Sequence, residues 1–118
     1  MYVIDHLGNP NVEPELMDLW VQYMTLISKN KNVYCKLSGL VENTKWYKWK
    51  LNQFDEYLDI IFDLFGPDRL MIGSNWPVCL LSGSYIEVMS VVIQYINNNY
   101  KDNKNKLLGD NCMNFYKI

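Results

Sequence analysis

The apolar residues of this chain change period as it runs, from the two-residue alternation of a strand to the 3.6-residue spacing of a helix and back. Tyr2-Val3-Ile4 is a short β-favouring run that stops at Asp5-His6, and Asn9-Pro10-Asn11 reads as a turn. A helix follows, with Pro14 in its first turn and Leu16, Leu19, Trp20, Tyr23, Met24 and Ile27 on one face, ending near Ser28-Lys29-Asn30. Val33 to Leu40 is the next strand, with Val33, Cys35 and Leu37 on one side and Tyr34, Lys36 and Ser38 on the other. A polar-aromatic loop leads to a second helix, with Asn52 as its expected cap, Asp55 three residues on, and Phe54, Tyr57, Leu58, Ile61, Phe62 and Phe65 as its stripe. Gly66-Pro67 stops that helix. Arg69 to Gly73 is the third strand, broken by Asn75-Trp76-Pro77. Ser84 with Glu87 forms a capping box for a third helix, whose expected stripe is Ile86, Met89, Ile93, Ile96 and Tyr100. A polar stretch then precedes a short last helix over Asn111 to Tyr116.

The order β-α-β-α-β-α-α implies an α/β fold of parallel strands joined by right-handed crossovers. With 118 residues, no linker and no internal repeat, the chain is expected to form one domain. A net charge of −2 gives no pull toward nucleic acid or anionic membrane. No apolar run approaches the roughly 20 residues needed to cross a bilayer. The opening Met1-Tyr2-Val3-Ile4-Asp5 is too short and too acidic for a signal peptide. Cys35, Cys79 and Cys112 are odd in number and form no CxxC pair, so free thiols in a reducing compartment, the cytoplasm, are expected. A reactive cysteine would need a nearby base, and His6 is the only histidine.

In parallel α/β folds, chemistry gathers just past the C-terminal ends of the strands. That rule selects Asp5-His6, the Lys36 to Gly39 stretch, and Ser74-Asn75-Trp76-Pro77. Each admits two readings. His6 is either a histidine satisfying buried hydrogen bonds or a site residue. Lys36 either binds a substrate carboxylate or hydroxyl or snorkels into water. Arg69 reads as a partner for Asp68 or for a helix end. Trp46-Tyr47-Lys48-Trp49-Lys50 can stack on a sugar or base, although packing of the tryptophans is the expected role. One histidine and no clustered cysteines fall short of a metal site.

Four segments together carry a family resemblance. Ile4 to Pro10 is similar to a DHxGxP segment, and Val33 to Leu40 resembles a "vycKlSGl" strand. Phe65 to Cys79 resembles "FGpdRlmfGSDWPvc", and Gly109-Asp110-Asn111 through Phe115-Tyr116 is like a closing "g.NA..fY". These are segments of the amidohydrolase-related family (amidohydrolase 2, sugar-lactonase and 2-pyrone-4,6-dicarboxylate lactonase-like), and they occur here in family order. The resemblance implies a partial TIM (β/α) barrel. Residues 1–118 would be its C-terminal portion, the last three β/α units with strands six to eight, and the first five units with their HxH motif would be absent. With Met1 one residue before the first strand, a truncated or fragmentary chain is expected.

The family activity implied is hydrolysis of a lactone or ester carbonyl by water. On that basis His6 and Asn75 stand at the catalytic positions, and Lys36, Ser38 and Trp76 are expected to bind substrate. Asn75 is a departure: the family has an aspartate there as general base, and an amide cannot accept that proton near neutral pH. No cofactor is expected in this chain, although full-length relatives of this family can use a divalent metal, zinc or manganese. The expected partner is a small lactone-type substrate, with no nucleic acid and no membrane. The alternative is a non-catalytic protein, a decayed paralogue or an interaction module. A three-strand piece of barrel wall would also leave both sheet edges and its barrel-facing side open, so the chain alone is expected to be either marginally stable or self-associated through its strand edges.

Overall fold

The computed structural model describes residues 1–10 and 13–118; the expected turn at Asn9-Pro10-Asn11 therefore lies partly outside the described residues. Strand β1 (Tyr2–Ile4) leads to helix α1 (Pro14–Ser28) and strand β2 (Val33–Leu37). Helix α2 (Asp55–Phe65), strand β3 (Leu70–Ile72), helix α3 (Tyr85–Asn99) and helix α4 (Asn111–Tyr116) follow. The sheet order is β1-β2-β3 and both pairings are parallel, with Tyr2 opposite Val33 and Cys35 opposite Leu70. Strands β2 and β3 are shorter than the sequence suggests. Ser38 to Leu40 and Gly73 bend away into the loops that carry the polar residues.

The alternation along β2 is the one expected: Val33, Cys35 and Leu37 are buried, and Tyr34 and Lys36 are partly exposed. The buried side meets α2, where Leu58, Ile61, Phe62 and Phe65 all lie in the core. Each such side chain contributes about 1.5–3 kcal/mol by leaving water, which makes α2 the anchor of the sheet. Its start differs from expectation. A helical turn over Leu51–Phe54 runs into α2, and the Gln53 side chain accepts the Lys50 N–H at 3.2 Å, so Asn52 is not the cap. The third helix does open as expected, with Ser84 and Glu87 exchanging hydrogen bonds at 2.8 and 3.2 Å.

Two helix faces are rotated from the expected ones. On α1, Trp20 and Met24 are buried and Met17 and Val21 pack against the core, while Leu16, Leu19, Tyr23 and Ile27 are 40–57% exposed. On α3 the buried stripe is Val88, Val91, Val92, Tyr95 and Ile96, and Ile86 is 77% exposed. Both helices carry more apolar positions than one face can bury, so periodicity alone does not choose the centre of the face.

Arg69 fills the second of its two expected roles. Its buried guanidinium donates to the carbonyls of Leu64 and Phe65 at the end of α2, and to those of Asn30 and Val33 at the start of β2. Asp68 pairs instead with Lys106 at 2.7 Å. Arg69 thus ties together the ends of the elements opposite the polar loops.

The barrel-facing side of the sheet is not open. Helix α4 lies across it, with the Phe115 ring against Tyr34 at 5.1 Å and the Tyr116 ring 5.7 Å beneath the Lys36 ammonium. Asn111 donates to the carbonyls of Pro67 and Leu70 at 2.7 Å each, pinning the start of α4 beside β3.

Candidate functional site

The polar residues past the three strand ends converge because the backbone there is bent into unusual shapes. His6, Leu7 and Asn9 have φ of 55°, 51° and 51°, and Asn75 has φ 58°. Side chains other than glycine occupy this region at a cost, and surrounding contacts must hold them there. The holding contacts are visible. Leu7 is fully buried and its carbonyl accepts the Trp20 indole N–H at 2.8 Å, so α1 pins the loop after β1. The Asn75 carbonyl accepts the Cys79 N–H at 2.9 Å, and the Ser74 hydroxyl accepts the Trp76 N–H at 3.0 Å. The Trp76–Pro77 peptide is cis.

The His6 ring lies against Gly39. A Cβ on Gly39 would sit 2.6 Å from the His6 Cβ, a distance that real side chains do not reach. From this seat His6 Nδ1 meets the Ser38 hydroxyl at 2.8 Å. Lys36 and Asp5 form an ion pair at 2.9 Å. The hydrogen bond from Lys36 holds the Asp5 carboxyl below its usual range, and the same bond, with help from Tyr116, pushes the Lys36 ammonium up. Lys36 is therefore neither a free snorkelling cation nor an unpaired one.

His6, Lys36, Ser38, Asn75 and Trp76 all line one open depression of about 470 Å³, together with Asp5, Cys112 and Tyr116. Trp76 stands at its rim, 63% exposed. The structure thus brings together the five residues expected at catalytic or substrate-binding positions, while Arg69 and the Trp46 to Lys50 stretch lie outside the depression. Sequence reasoning missed Asp5 as the partner of Lys36, Tyr116 as part of the wall, and the buried carboxylate of Glu42. Asp5 was visible beside His6. Glu42 sits in a polar loop and gave no signal.

Glu42 belongs to the turn Val41–Asn43 that follows Gly39. Both its carboxylate oxygens are shut off from solvent with no fully formed hydrogen bond. Burial pushes its pKa up, against the opposing pull of its own backbone N–H, of His6 and of the nearby Asn75 amide. Of the two tryptophans in the loop beyond it, Trp49 packs against the core and donates Nε1–H to the Ser82 carbonyl at 3.0 Å, whereas Trp46 is 50% exposed. Burial also holds Cys35 protonated, its thiol pushed up to about 12, and raises Cys79, so neither is poised as a nucleophile.

The family model for Amidohydrolase matches residues 2–118, nearly the whole chain. The chain belongs to the amidohydrolase family. The L-fucono-1,5-lactonase of Burkholderia multivorans is 39% identical over 99 aligned positions, covering 76% of this chain and 33% of that protein. The L-fucono-1,5-lactonase of Burkholderia ambifaria is 35% identical over 83 positions, covering 70% of this chain and 28% of that protein. A crystal structure of an amidohydrolase from Burkholderia multivorans with bound zinc superposes with a TM-score of 0.88 at 35% identity, over 98% of this chain and 43% of that one. The α/β fold here is thus that of an amidohydrolase over part of its length, and the chain spans about a third of the curated relatives it matches.

The zinc of that relative finds no matching donor set among the described residues of this chain. Among the described residues, no three His, Cys, Asp or Glu side chains are grouped to hold a metal. His6 is engaged by Ser38, Asp5 by Lys36, and Asn75 offers only a neutral amide. No described helix is long and apolar enough to cross a membrane.

Proposed function

We propose that this chain supplies the last three β/α units, strands six to eight, of an amidohydrolase-family barrel that hydrolyses a sugar-lactone-type substrate, and that it does not turn over substrate by itself. The observation that carries this reading is the convergence of His6, Lys36, Ser38, Asn75 and Trp76 on one depression at the C-terminal ends of the strands, where barrel enzymes place their chemistry. Similarity to two L-fucono-1,5-lactonases supports a lactone as the substrate class. The three unpaired cysteines fit a reducing, cytoplasmic setting.

The residues divide the work by chemistry. Lys36, already steered by Asp5, offers a cation to a carboxylate or hydroxyl of the substrate. With Nδ1 committed to Ser38, His6 has Nε2 left to polarise the lactone carbonyl. Trp76 at the rim gives a flat apolar surface for the sugar ring. Asn75 can orient the attacking water but cannot take its proton, and loss of a positioned general base typically costs 10²–10⁴-fold in rate.

Asn75 also favours a second reading, in which the chain is a decayed paralogue or an interaction module without catalysis. Sequencing the full-length transcript and assaying its product on sugar lactones separates the two. Turnover by the full-length product, abolished by His6→Ala and absent from the 118-residue chain, is the expected result. A full-length product without turnover would establish the non-catalytic reading. Steady turnover by the short chain alone, lost on His6→Ala, would overturn the claim that the chain is inactive by itself.

A further inference from the structure

A second cavity, an open groove of about 320 Å³, lies apart from the depression and shares no lining residue with it. It is walled by Tyr47 and Trp49, from the aromatic loop after β2, and by Leu51, Ser82, Glu87 and Ser90. Tyr47 has φ 60°, a conformation that an aromatic residue occupies only when surrounding contacts impose it. Those contacts are its N–H on the Ser82 carbonyl at 3.1 Å and its hydroxyl on the Leu80 carbonyl at 2.9 Å. Tethered in this way, Tyr47 is still 69% exposed. Gly83 makes room for the second ring, since a Cβ there would come within 3.2 Å of Trp49 Cζ2.

The side chains of the groove have no proton left to donate. The Tyr47, Ser82 and Ser90 hydroxyls bond to the carbonyls of Leu80, Val41 and Ile86, and a hydroxyl facing a carbonyl must donate. The Trp49 indole N–H is spent on the Ser82 carbonyl at 3.0 Å. Glu87 accepts the Ser84 N–H through Oε2 at 2.8 Å, and this backbone bond holds its carboxyl below the usual carboxylate range. Among the described residues, no Lys or Arg lines the groove; Lys48 and Lys50, which flank Trp49 in sequence, are exposed outside it. The lining side chains therefore offer acceptors, one negative charge and two aromatic rings.

We propose that this groove is a binding site for the guanidinium group of a small molecule. A guanidinium carries five N–H donors in one plane and no acceptor, so it asks for nothing that the lining lacks, and its flat face stacks on a tyrosine or tryptophan ring. A sugar, the other ligand that the aromatic stretch could stack on, has hydroxyl oxygens that look for donors in return, and no lining side chain supplies one. An anion is repelled by Glu87. The volume of about 320 Å³ stands at the small end of small-molecule sites. The site does not rest on the lactonase reading, because the two cavities have no residue in common.

The test is an NMR titration of the isotopically labelled chain with methylguanidinium chloride at constant ionic strength. The expected result is a saturable shift of the Trp49 indole N–H with Kd of about 1 mM, and no shift of the Trp76 indole in the depression. Glu87→Gln should weaken binding about tenfold with the fold intact, because glutamine at that place also caps the helix. Trp49 signals that stay flat or drift without saturating, an unchanged affinity in Glu87→Gln, or binding of L-fucose here in place of methylguanidinium would each overturn the proposal. A blocked tripeptide with arginine between two glycines, bound more than about tenfold tighter than methylguanidinium, would put the guanidinium on a partner protein and overturn the small-molecule assignment. Failure of the lactone assay would leave the titration unchanged, so the two readings fail separately.

Discussion

Replacing Gly39 by alanine tests the packing on which the site is built. Gly39 has φ +74°, a conformation that costs an L side chain about 1–2 kcal/mol. The added Cβ would also lie 2.6 Å from the His6 Cβ and 3.0 Å from its Cγ. That Cβ cannot rotate away, because it is fixed to a backbone itself held at φ 55° by the buried Leu7 and its bond to Trp20. Forcing one extra carbon into such a contact costs about 1–3 kcal/mol. The two terms give a loss of about 2–5 kcal/mol, or roughly 8–20 °C in Tm for a chain of this size. Thermal melts measure the loss, and the ring signals of His6, the single histidine, report its displacement from Ser38. Gly109→Ala is the control: nothing lies within 4 Å of its added Cβ, and it sits in the helical turn Lys106–Asp110. It should be neutral or stabilising by about 0.5–1 kcal/mol. If Gly39→Ala melts within about 0.5 kcal/mol of wild type and leaves the His6 signals in place, His6 does not rest on Gly39 and the site geometry is wrong.

Arg69→Met strands four carbonyls on two elements and should cost about 3 kcal/mol by urea denaturation; a loss below about 1 kcal/mol would mean that other donors replace it. For Asp5 and Lys36 the sign follows from the shifts: Asp5 is lowered, so the pair's contribution is present above the ordinary carboxylate pKa of 3.8 and is lost as pH falls through the lowered value, and Lys36 is raised, so it is lost again only as pH rises through the ammonium range. Asp5 is 60% exposed, so the contribution is about 0–1 kcal/mol; the Tm gap between wild type and Asp5→Asn should close in acid, and a gap that widens there would contradict the pairing. Elemental analysis of the purified chain should find no stoichiometric zinc, and about one zinc per chain, lost on His6→Ala, would show a donor set that the structure does not contain.

The strand and helix order, the Ser84 cap, the α2 stripe and the bounds of α4 were legible because each rests on a local rule: a period, a capping pair, a stop signal. The five candidate residues were legible as a set because strand ends concentrate polar groups, and the family resemblance named the same positions. What could not be read came from contacts distant in sequence. Leu19 and Tyr23 look like core on periodicity, yet the sheet reaches only the Trp20–Met24 side of α1. Arg69 has an acidic neighbour in Asp68, but besides the nearby helix end it is claimed by two carbonyls distant in sequence, those of Asn30 and Val33. Glu42 is invisible in the sequence because the burial of its carboxylate oxygens follows from the folded turn Val41–Asn43 and not from any local pattern.

Helix α4 also changes where self-association is to be expected. A sheet of three parallel strands has two edges, and unpaired edge groups are a route to pairing with another chain. Here the β3 end is not bare: the Lys106–Asp110 turn packs along it and Asn111 takes up the carbonyls of Pro67 and Leu70. Among the described residues, no element pairs with the outer side of β1, where Tyr2 is 70% exposed. The unburied side of α1, with Leu16, Leu19, Tyr23 and Ile27 at 40–57% exposure, offers further apolar area. Burying the exposed part of those four side chains is worth about 1 kcal/mol each, half the value for a fully exposed one. That total only matches the low end of the entropy cost of association, about 4 kcal/mol. Strand pairing must supply the rest, so we predict a weak dimer with Kd of about 0.1–1 mM through β1, not the tight aggregate that two open edges and an open barrel face would give. Light scattering across a concentration series should show the dimer, and a double Leu19→Lys, Tyr23→Lys variant should return it to monomer with its fold intact. Association that survives this variant but is lost when the β3 side is altered would place the sticky edge on the side that α4 covers.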